Sequence, residues 1–258
     1  MTQDEAKRLV AKRAVEFVKD GMVVGLGTGT TATLFIRELA ARKLKIRCVA
    51  SSDASHELAE SLGMSVATLT ELPELDMYID GADEIARVPG LGFGLIKGGG
   101  GALLREKIVA SAAKSFFVVA DSTKLVDHLG RFPLPVEVIK MALPVVQPRL
   151  AALGLNPKLR QAKGKPQRSK PPNVAVTERD RLIAKAVDVW EAAGNMPGPY
   201  LTDEGNYILD CACGRIDDPQ KMAAEIRAIV GVVEHGLFLG MATLALVAGE
   251  NGVSEYRP

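Results

Sequence analysis

Apolar residues recur along the first half of the chain in two alternating rhythms. Ala6, Leu9, Val10, Ala14, Phe17 and Val18 fall at helical spacing behind Thr2-Gln3-Asp4-Glu5, a capping-box pattern that predicts a helix start. Met22-Val23-Val24 predicts a short buried strand ending in Gly25-Leu26-Gly27-Thr28-Gly29-Thr30-Thr31, and Leu34, Ile36 and Leu39 predict the next helix. Ile46 to Ala50 repeats the strand, ending in Ser51-Ser52-Asp53 before a helix through Leu58 and Leu62. Met77-Tyr78-Ile79 ends in Asp80, Leu95-Ile96 ends in Lys97 ahead of a helix near Ala102, and Phe116 to Ala120 ends in Asp121-Ser122-Thr123-Lys124. Strand-helix repeats of this length predict an α/β fold, a doubly wound and mostly parallel sheet with helices on both faces. Each polar motif then lies on the carboxyl edge of that sheet, where open parallel sheets bind ligands, so the motifs are expected to share one cleft.

After Arg131-Phe132-Pro133-Leu134-Pro135 the rhythm changes. Val136 to Ile139 predicts a strand, Val145 to Leu153 a helix, and Pro199 to Cys213 a hairpin turning near Asp203-Glu204-Gly205-Asn206. Pro219 to Val230 predicts a helix and Val232 to Leu239 a last strand, before the chain returns to the first sheet through Thr243 to Val247. The expected organisation is an α/β domain of residues 1–132 plus 236–258, interrupted by a smaller α+β, ferredoxin-like domain over 133–235. Asn156 to Asn173 carries Lys158, Arg160, Lys163, Lys165, Arg168 and Lys170 with prolines and no acid, and is expected to be a solvated loop. Arg181 to Ala193 is expected to form a short amphipathic helix in the same atypical insertion, at about 162–198.

Composition narrows the function classes. Among 258 residues, 32 basic and 31 acidic side chains leave a net charge of +1, so no global field selects nucleic acid or a membrane surface. No interleaving of basic and aromatic residues suggests base stacking. Cys48, Cys211 and Cys213 form neither a disulfide framework nor a zinc-ligand pattern, and the histidines His56, His128 and His235 are scattered. The first twenty residues are charged throughout, unlike a signal peptide, and the longest apolar stretch, Gly236 to Gly249, is too short to span a bilayer. A cytoplasmic protein is expected, binding no nucleic acid, membrane or metal.

The chemistry-bearing residues sit at the predicted strand ends. The Gly25 to Thr31 turn places glycines and threonine hydroxyls between a strand and a helix, where free amides and the helix dipole suit an anion such as phosphate; tight packing alone is the alternative. It is neither the dinucleotide fingerprint nor a P-loop. Asp80 and Asp83 flank Gly81-Ala82, as proton-handling acids or as an ordinary turn and cap, and Glu84 is expected to point away. Lys97 precedes Gly98-Gly99-Gly100-Gly101, a run whose ordering entropy is costly and which makes sense where backbone must approach a ligand. Glu106 follows in the first turns of the next helix, and Lys124 is a weaker candidate phosphate partner.

Taken together, Gly25 through Thr31, Asp80-Gly81-Ala82-Asp83-Glu84 and Lys97 through Gly101 with Arg105-Glu106-Lys107 resemble the type A ribose-5-phosphate isomerase family in order and spacing. Phe132-Pro133-Leu134-Pro135-Val136-Glu137-Val138, Leu201-Thr202-Asp203-Glu204-Gly205-Asn206 and Gly236-Leu237-Phe238 continue the likeness, which covers nearly the whole chain except roughly Ala162 to Gly198. The resemblance implies interconversion of ribose 5-phosphate and ribulose 5-phosphate without metal or organic cofactor, in a homodimer or homotetramer. It also implies that Glu106 is the general base, with Asp80, Asp83 and Lys97 completing the catalytic set. Substrate contacts are then expected at Thr28, Gly29, Thr30, Thr31, Asp80, Gly81, Ala82, Asp83, Lys97, Gly98, Gly99, Gly100 and Lys124. A non-catalytic sugar-phosphate sensor, an aminosugar-phosphate isomerase-deaminase and a CoA transferase are the competing readings, and a sensor would need no base.

Overall fold

In the computed structural model, which describes residues 1–162 and 198–258, Thr2 and Glu5 close a reciprocal capping box at the start of α1 (Gln3–Val15). Thr2 Oγ1 accepts from the Glu5 amide and Glu5 Oε2 from the Thr2 amide, which satisfies two otherwise unpaired donors. The alternation continues through β1 (Val23–Leu26), α2 (Thr30–Ala41), β2 (Arg47–Ala50), α3 (Asp53–Ser61) and β3 (Met77–Asp80). Next come β4 (Glu84–Val88), β5 (Gly92–Ile96), α4 (Leu103–Ser111), β6 (Phe116–Asp121) and β7 (Leu134–Val138). They are followed by α5 (Leu143–Ala152), β8 (Pro157–Leu159), β9 (Tyr207–Cys211) and α6 (Pro219–Arg227). Four strands end the chain: β10 (Val232–His235), β11 (Leu237–Leu239), β12 (Leu244–Gly249) and β13 (Gly252–Tyr256).

A six-stranded sheet in the order β13-β12-β6-β3-β1-β2 is parallel except at its β13 edge, a strand added antiparallel to the expected return strand. Residue parity sorts its two faces. Val24, Leu26, Met77, Ile79, Val119, Leu244 and Leu246 pack with apolar residues of α1, α2 and α3. Tyr78, Phe116, Val118, Ala245 and Val247 pack on the other side with α4, β4 and β5.

That second face departs from the expectation in one respect. Leu95-Ile96 belongs to a separate antiparallel sheet, order β11-β5-β4, and adds no strand to the parallel one. The cause is the connection Val88-Pro89-Gly90-Leu91-Gly92, a tight turn closed by the Leu91 amide on the Val88 carbonyl at 3.0 Å. Such a turn sends the chain straight back, whereas a parallel neighbour needs a long crossover. Lys97 therefore reaches the cleft from the small sheet.

The four-stranded sheet β10-β7-β9-β8 is antiparallel throughout, with α5 joining β7 to β8 and α6 joining β9 to β10, which is the expected ferredoxin-like arrangement. Three sequence expectations are corrected within it. Only the second arm of the hairpin over Pro199 to Cys213 is a strand; residues 202–206 form a turn, closed by the Gly205 amide on the Thr202 carbonyl at 2.8 Å. The place beside β9 is taken by Pro157–Leu159, so the basic stretch begins as an edge strand, a position that tolerates both proline and lysine. The last strand is two strands, β10 and β11, which join different sheets on either side of Gly236. The basic run beyond Ala162 and the helix expected over Arg181 to Ala193 lie outside the described residues. No helix among the described residues is long and apolar enough to cross a membrane.

Gly236 ties the two small sheets together beside the cleft. Its amide donates to the Pro135 carbonyl at 2.8 Å and its carbonyl accepts from the Lys97 amide at 2.9 Å. A Cβ there would sit 2.3 Å from the Lys97 carbonyl oxygen and 2.8 Å from Pro135 Cδ, closer than any real contact. Gly236→Ala should therefore cost about 1–3 kcal/mol of stability through overpacking. Urea unfolding should show a lower midpoint with an unchanged m value; an unshifted midpoint would mean that the backbone opens at no cost.

Candidate active site

β1 and β3 end side by side, with Leu26 opposite Ile79, so the turn after one faces the acid that ends the other. Asp80, fully buried, lies on the same face of β3 as Tyr78 because strand side chains alternate. Its carboxylate takes four donors. Oδ1 accepts from the Thr28 amide at 2.9 Å and the Gly81 amide at 2.7 Å. Oδ2 accepts from Lys97 Nζ at 2.8 Å and from the Tyr78 hydroxyl, which also lies 3.2 Å from Ser51 Oγ. This packing requires Gly27, where a Cβ would fall 2.2 Å from Asp80 Oδ1.

Lys97 also donates to the Gly81 carbonyl at 2.6 Å, and its ammonium lies 3.5 Å from Glu106 Oε2 and 5.5 Å above the Phe238 ring. Burial opposes its charge, but the Asp80 and Glu106 carboxylates outweigh burial and raise its pKa. Glu106 occupies the first turn of α4 and is 3 % exposed, with Oε2 making no hydrogen bond among the described residues. Burial pushes the Glu106 carboxyl well above the usual carboxylate range; Lys97 pulls it back, and Asp80 and Asp83 add to the rise.

Around this centre the other motifs converge. Asp83, partly exposed, accepts from the Gly99 amide at 2.8 Å, while its own amide donates to the Ile96 carbonyl. Gly100 faces the first turn: a Cβ on it would lie 3.9 Å from Thr28 Cγ2, and one on Gly81 would lie 4.0 Å from Thr31 Cβ. Thr28 Oγ1 is 3.0 Å from Ser51 Oγ, and Gly29 caps α2 ahead of the exposed Thr30, so the amides there open towards solvent at a helix N-terminus. Ala82 lies partly exposed in the link between Asp80 and Asp83.

Two further residues take no part in these contacts. Glu84 accepts from the amides of Gly130 and Phe132, at 2.7 and 2.6 Å, and so points out of the cleft. Lys124 closes a short 3₁₀ turn, Ser122–Lys124, and makes no ion pair with Asp80, Asp83, Lys97 or Glu106. Sequence reasoning missed Tyr78 and Ser51, although Tyr78 stands two residues before Asp80 on a strand and so shares its face. It also missed Arg160, which reaches the carbonyls of Gly98 and Gly99 at 2.9 and 3.4 Å. No local signal marks Arg160, because its contacts depend on how β8 pairs with β9.

An acid held by four donors, a buried lysine, a glutamate with an oxygen unengaged among the described residues and a glycine-rich turn thus meet in one cleft. Their order along the chain has counterparts in known proteins. The profile of ribose 5-phosphate isomerase A (phosphoriboisomerase A) matches residues 47–252, while that of the DeoR C terminal sensor domain matches residues 2–70, short of Asp80. Ribose-5-phosphate isomerase A of Synechococcus sp. (strain JA-3-3Ab) is 44% identical over 98% of this chain and 97% of its own length. The solved ribose 5-phosphate isomerase A of Methanocaldococcus jannaschii superposes with a TM-score of 0.82 at 37% identity, covering 100% of both chains. A D-ribose-5-phosphate isomerase solved in complex with phospho-erythronic acid gives a TM-score of 0.84 at 33% identity, again over 100% of both. The chain belongs to the ribose 5-phosphate isomerase A family.

Proposed function

We infer that this chain interconverts D-ribose 5-phosphate and D-ribulose 5-phosphate through an enediolate, with Glu106 as the base that carries the proton between C2 and C1. Family membership supplies the reaction, and one observation supports the base: a buried carboxylate with an oxygen free of hydrogen bonds among the described residues, 3.5 Å from a buried ammonium. Burial raises its proton affinity into the range where it can both take and return a carbon-bound proton. Lys97 meets the negative charge that develops on the enediolate oxygens, joined by backbone amides of the Gly98 to Gly100 run. Asp83, partly exposed and with one donor among the described residues, moves the hydroxyl proton; Asp80, saturated by four donors, holds Lys97.

Phosphate binds at Gly29, Thr30 and Thr31 at the head of α2, with Thr28, Gly81, Ala82 and Lys124 completing the substrate contacts. A relative that holds phospho-erythronic acid, a phosphorylated sugar acid, is in keeping with this class of ligand. In this reading residues 1–132 and 236–258 form the catalytic domain and 133–235 the smaller one. The enzyme acts in the cytoplasm, in the non-oxidative pentose phosphate pathway, as a homodimer or homotetramer. Analytical ultracentrifugation should return a multiple of the single-chain mass; a species of one chain's mass would overturn the oligomer.

Glu106→Gln should lower the rate of ketose formation from ribose 5-phosphate by at least about 10²–10⁴-fold while the sugar phosphate still binds. A near-normal rate in this variant would remove Glu106 as the base. The same variant carries a stability signature. Because the folded chain holds the Glu106 proton to higher pH than the unfolded chain, wild-type stability falls as pH rises from the ordinary carboxylate value of 4.5 to the raised one. Glutamine has no proton to lose, so the variant should gain stability relative to wild type across that window. Urea unfolding at a series of pH values measures the difference, and parallel curves would refute the raised pKa. Lys97→Ala should lower kcat by about 10²–10³-fold with a smaller change in KM, since the charge it meets exists only in the transition state. A change confined to KM would reassign Lys97 to ground-state binding.

A further inference from the structure

We propose that Arg160 is a positioning residue of the isomerase: from the four-stranded sheet it locks the peptide planes of the Gly98 to Gly100 loop, so that the loop amides face Asp83 and the cleft. The proposal rests on the isomerase reading above. Arg160 follows β8, where its amide donates to the Ile208 carbonyl at 2.9 Å and its carbonyl accepts from the Tyr200 amide at 2.9 Å. Its backbone is thus fixed on both sides. The side chain is 13% exposed and grips Asp210 of β9 with two parallel bonds, Nε to Oδ2 at 2.9 Å and Nη2 to Oδ1. A guanidinium held by such a fork has little freedom left.

The remaining nitrogen, Nη1, points at the glycine loop. It donates to the Gly98 carbonyl at 2.9 Å and lies 3.4 Å from the Gly99 carbonyl. Tyr200, whose ring centroid is 5.8 Å from Arg160 Cζ, reaches the next carbonyl, that of Gly100, at 3.4 Å. Three successive carbonyls are therefore drawn to the side of the four-stranded sheet. In a planar trans peptide the carbonyl and the following amide point in opposite directions. Fixing the Gly98 carbonyl fixes the Gly99 amide, which donates to Asp83 Oδ2 at 2.8 Å on the far side of the loop. Fixing the Gly99 carbonyl likewise turns the Gly100 amide away from Arg160.

Within the loop only the Gly101 amide, on the Gly98 carbonyl at 3.0 Å, adds a turn bond; glycine peptides have the largest choice of orientation, so an external hold is what keeps the Gly99 amide on Asp83 and the Gly100 amide ready for an oxyanion. Arg160 supplies it through a formal charge, which also polarises the peptide and strengthens its amide as a donor. The hold comes from the β7 to β10 sheet, so that sheet becomes part of the catalytic apparatus without touching substrate.

The test compares Arg160→Met, which keeps the stem and deletes the fork, with Arg160→Lys, which keeps one charge. Misplaced loop amides should lower kcat of Arg160→Met roughly 10- to 100-fold, with KM for ribose 5-phosphate within about threefold of wild type. Calorimetric titration with ribose 5-phosphate in a Glu106→Gln background should give the same stoichiometry with and without Arg160→Met, which separates slow sites from misfolded ones. Arg160→Lys should recover part of the lost kcat, because an ammonium reaches one carbonyl and lacks the fork. Wild-type kcat in Arg160→Met, or a change confined to KM, would overturn the positioning role. If Arg160→Met does not fold, full kcat in Arg160→Lys overturns it and an intermediate kcat supports it. Absence of ketose formation by the wild-type chain would instead sink the isomerase reading itself.

Discussion

The ion pair between Asp80 and Lys97 is the constraint on which this architecture turns. Asp80 ends the central strand of the parallel sheet, and Lys97 follows the central strand of the small antiparallel sheet. Their side chains are 0% and 3% exposed, so neither charge has water to fall back on. A buried pair of this kind repays its desolvation only when the remaining lone pairs and protons are also satisfied. Here they are: Asp80 receives two backbone amides and the Tyr78 hydroxyl besides Lys97, and Lys97 finds the Gly81 carbonyl. The two sheets cannot slide past one another without leaving charges unpaired in the interior. The close approach of Gly27 to Asp80 and the bridging of Gly236 both follow from that docking.

Once the pair is closed, Glu106 is the carboxylate left over. Lys97 is 2.8 Å from Asp80 and 3.5 Å from Glu106, and one positive charge cannot fully compensate two buried negative ones. Burial raises the proton affinity of Glu106; Lys97 opposes the rise, and Asp80 and Asp83 add to it. Its Oε2 makes no hydrogen bond among the described residues. Two carboxylates thus sit in different environments: one tied to Lys97 and three further donors, the other buried with an oxygen that makes no hydrogen bond among the described residues. Burying the second destabilises the fold above the ordinary carboxylate pKa.

How much of this was legible in the sequence depends on how local the determining interaction is. The parallel sheet could be read, because each short apolar run is bounded by polar strand ends and followed by helical spacing. The capping box at Thr2 to Glu5 needed four residues and was present as read. Leu95-Ile96 was assigned to the wrong sheet, since two apolar residues do not encode whether their neighbours run parallel or antiparallel; Gly90 and Gly92 carried that information. β8 was hidden for a related reason. Three residues containing a proline and a lysine have no strand signature, and only pairing with β9 makes them a strand. Arg160 then changes meaning entirely: in the sequence it is one basic residue in a basic run, and in the fold it is a fork clamped between Asp210 and the glycine loop.

The acidic motif shows how a spacing visible in sequence acquires two environments through geometry. Asp80 belongs to the last position of β3, so its direction is set by the pleat, and the pleat turns it to the side already occupied by Tyr78. Three residues later the chain has left one sheet and not yet entered the next, and Asp83 is free of the pleat. Its amide bonds to Ile96 and its carboxylate to Gly99, so both of its polar ends face the β5 strand and the loop that follows it. Four donors hold Asp80 in the interior, and among the described residues the Gly99 amide alone holds the Asp83 carboxylate at the partly exposed edge of the cleft. The equivalence of the two acids in the sequence ends where β3 ends.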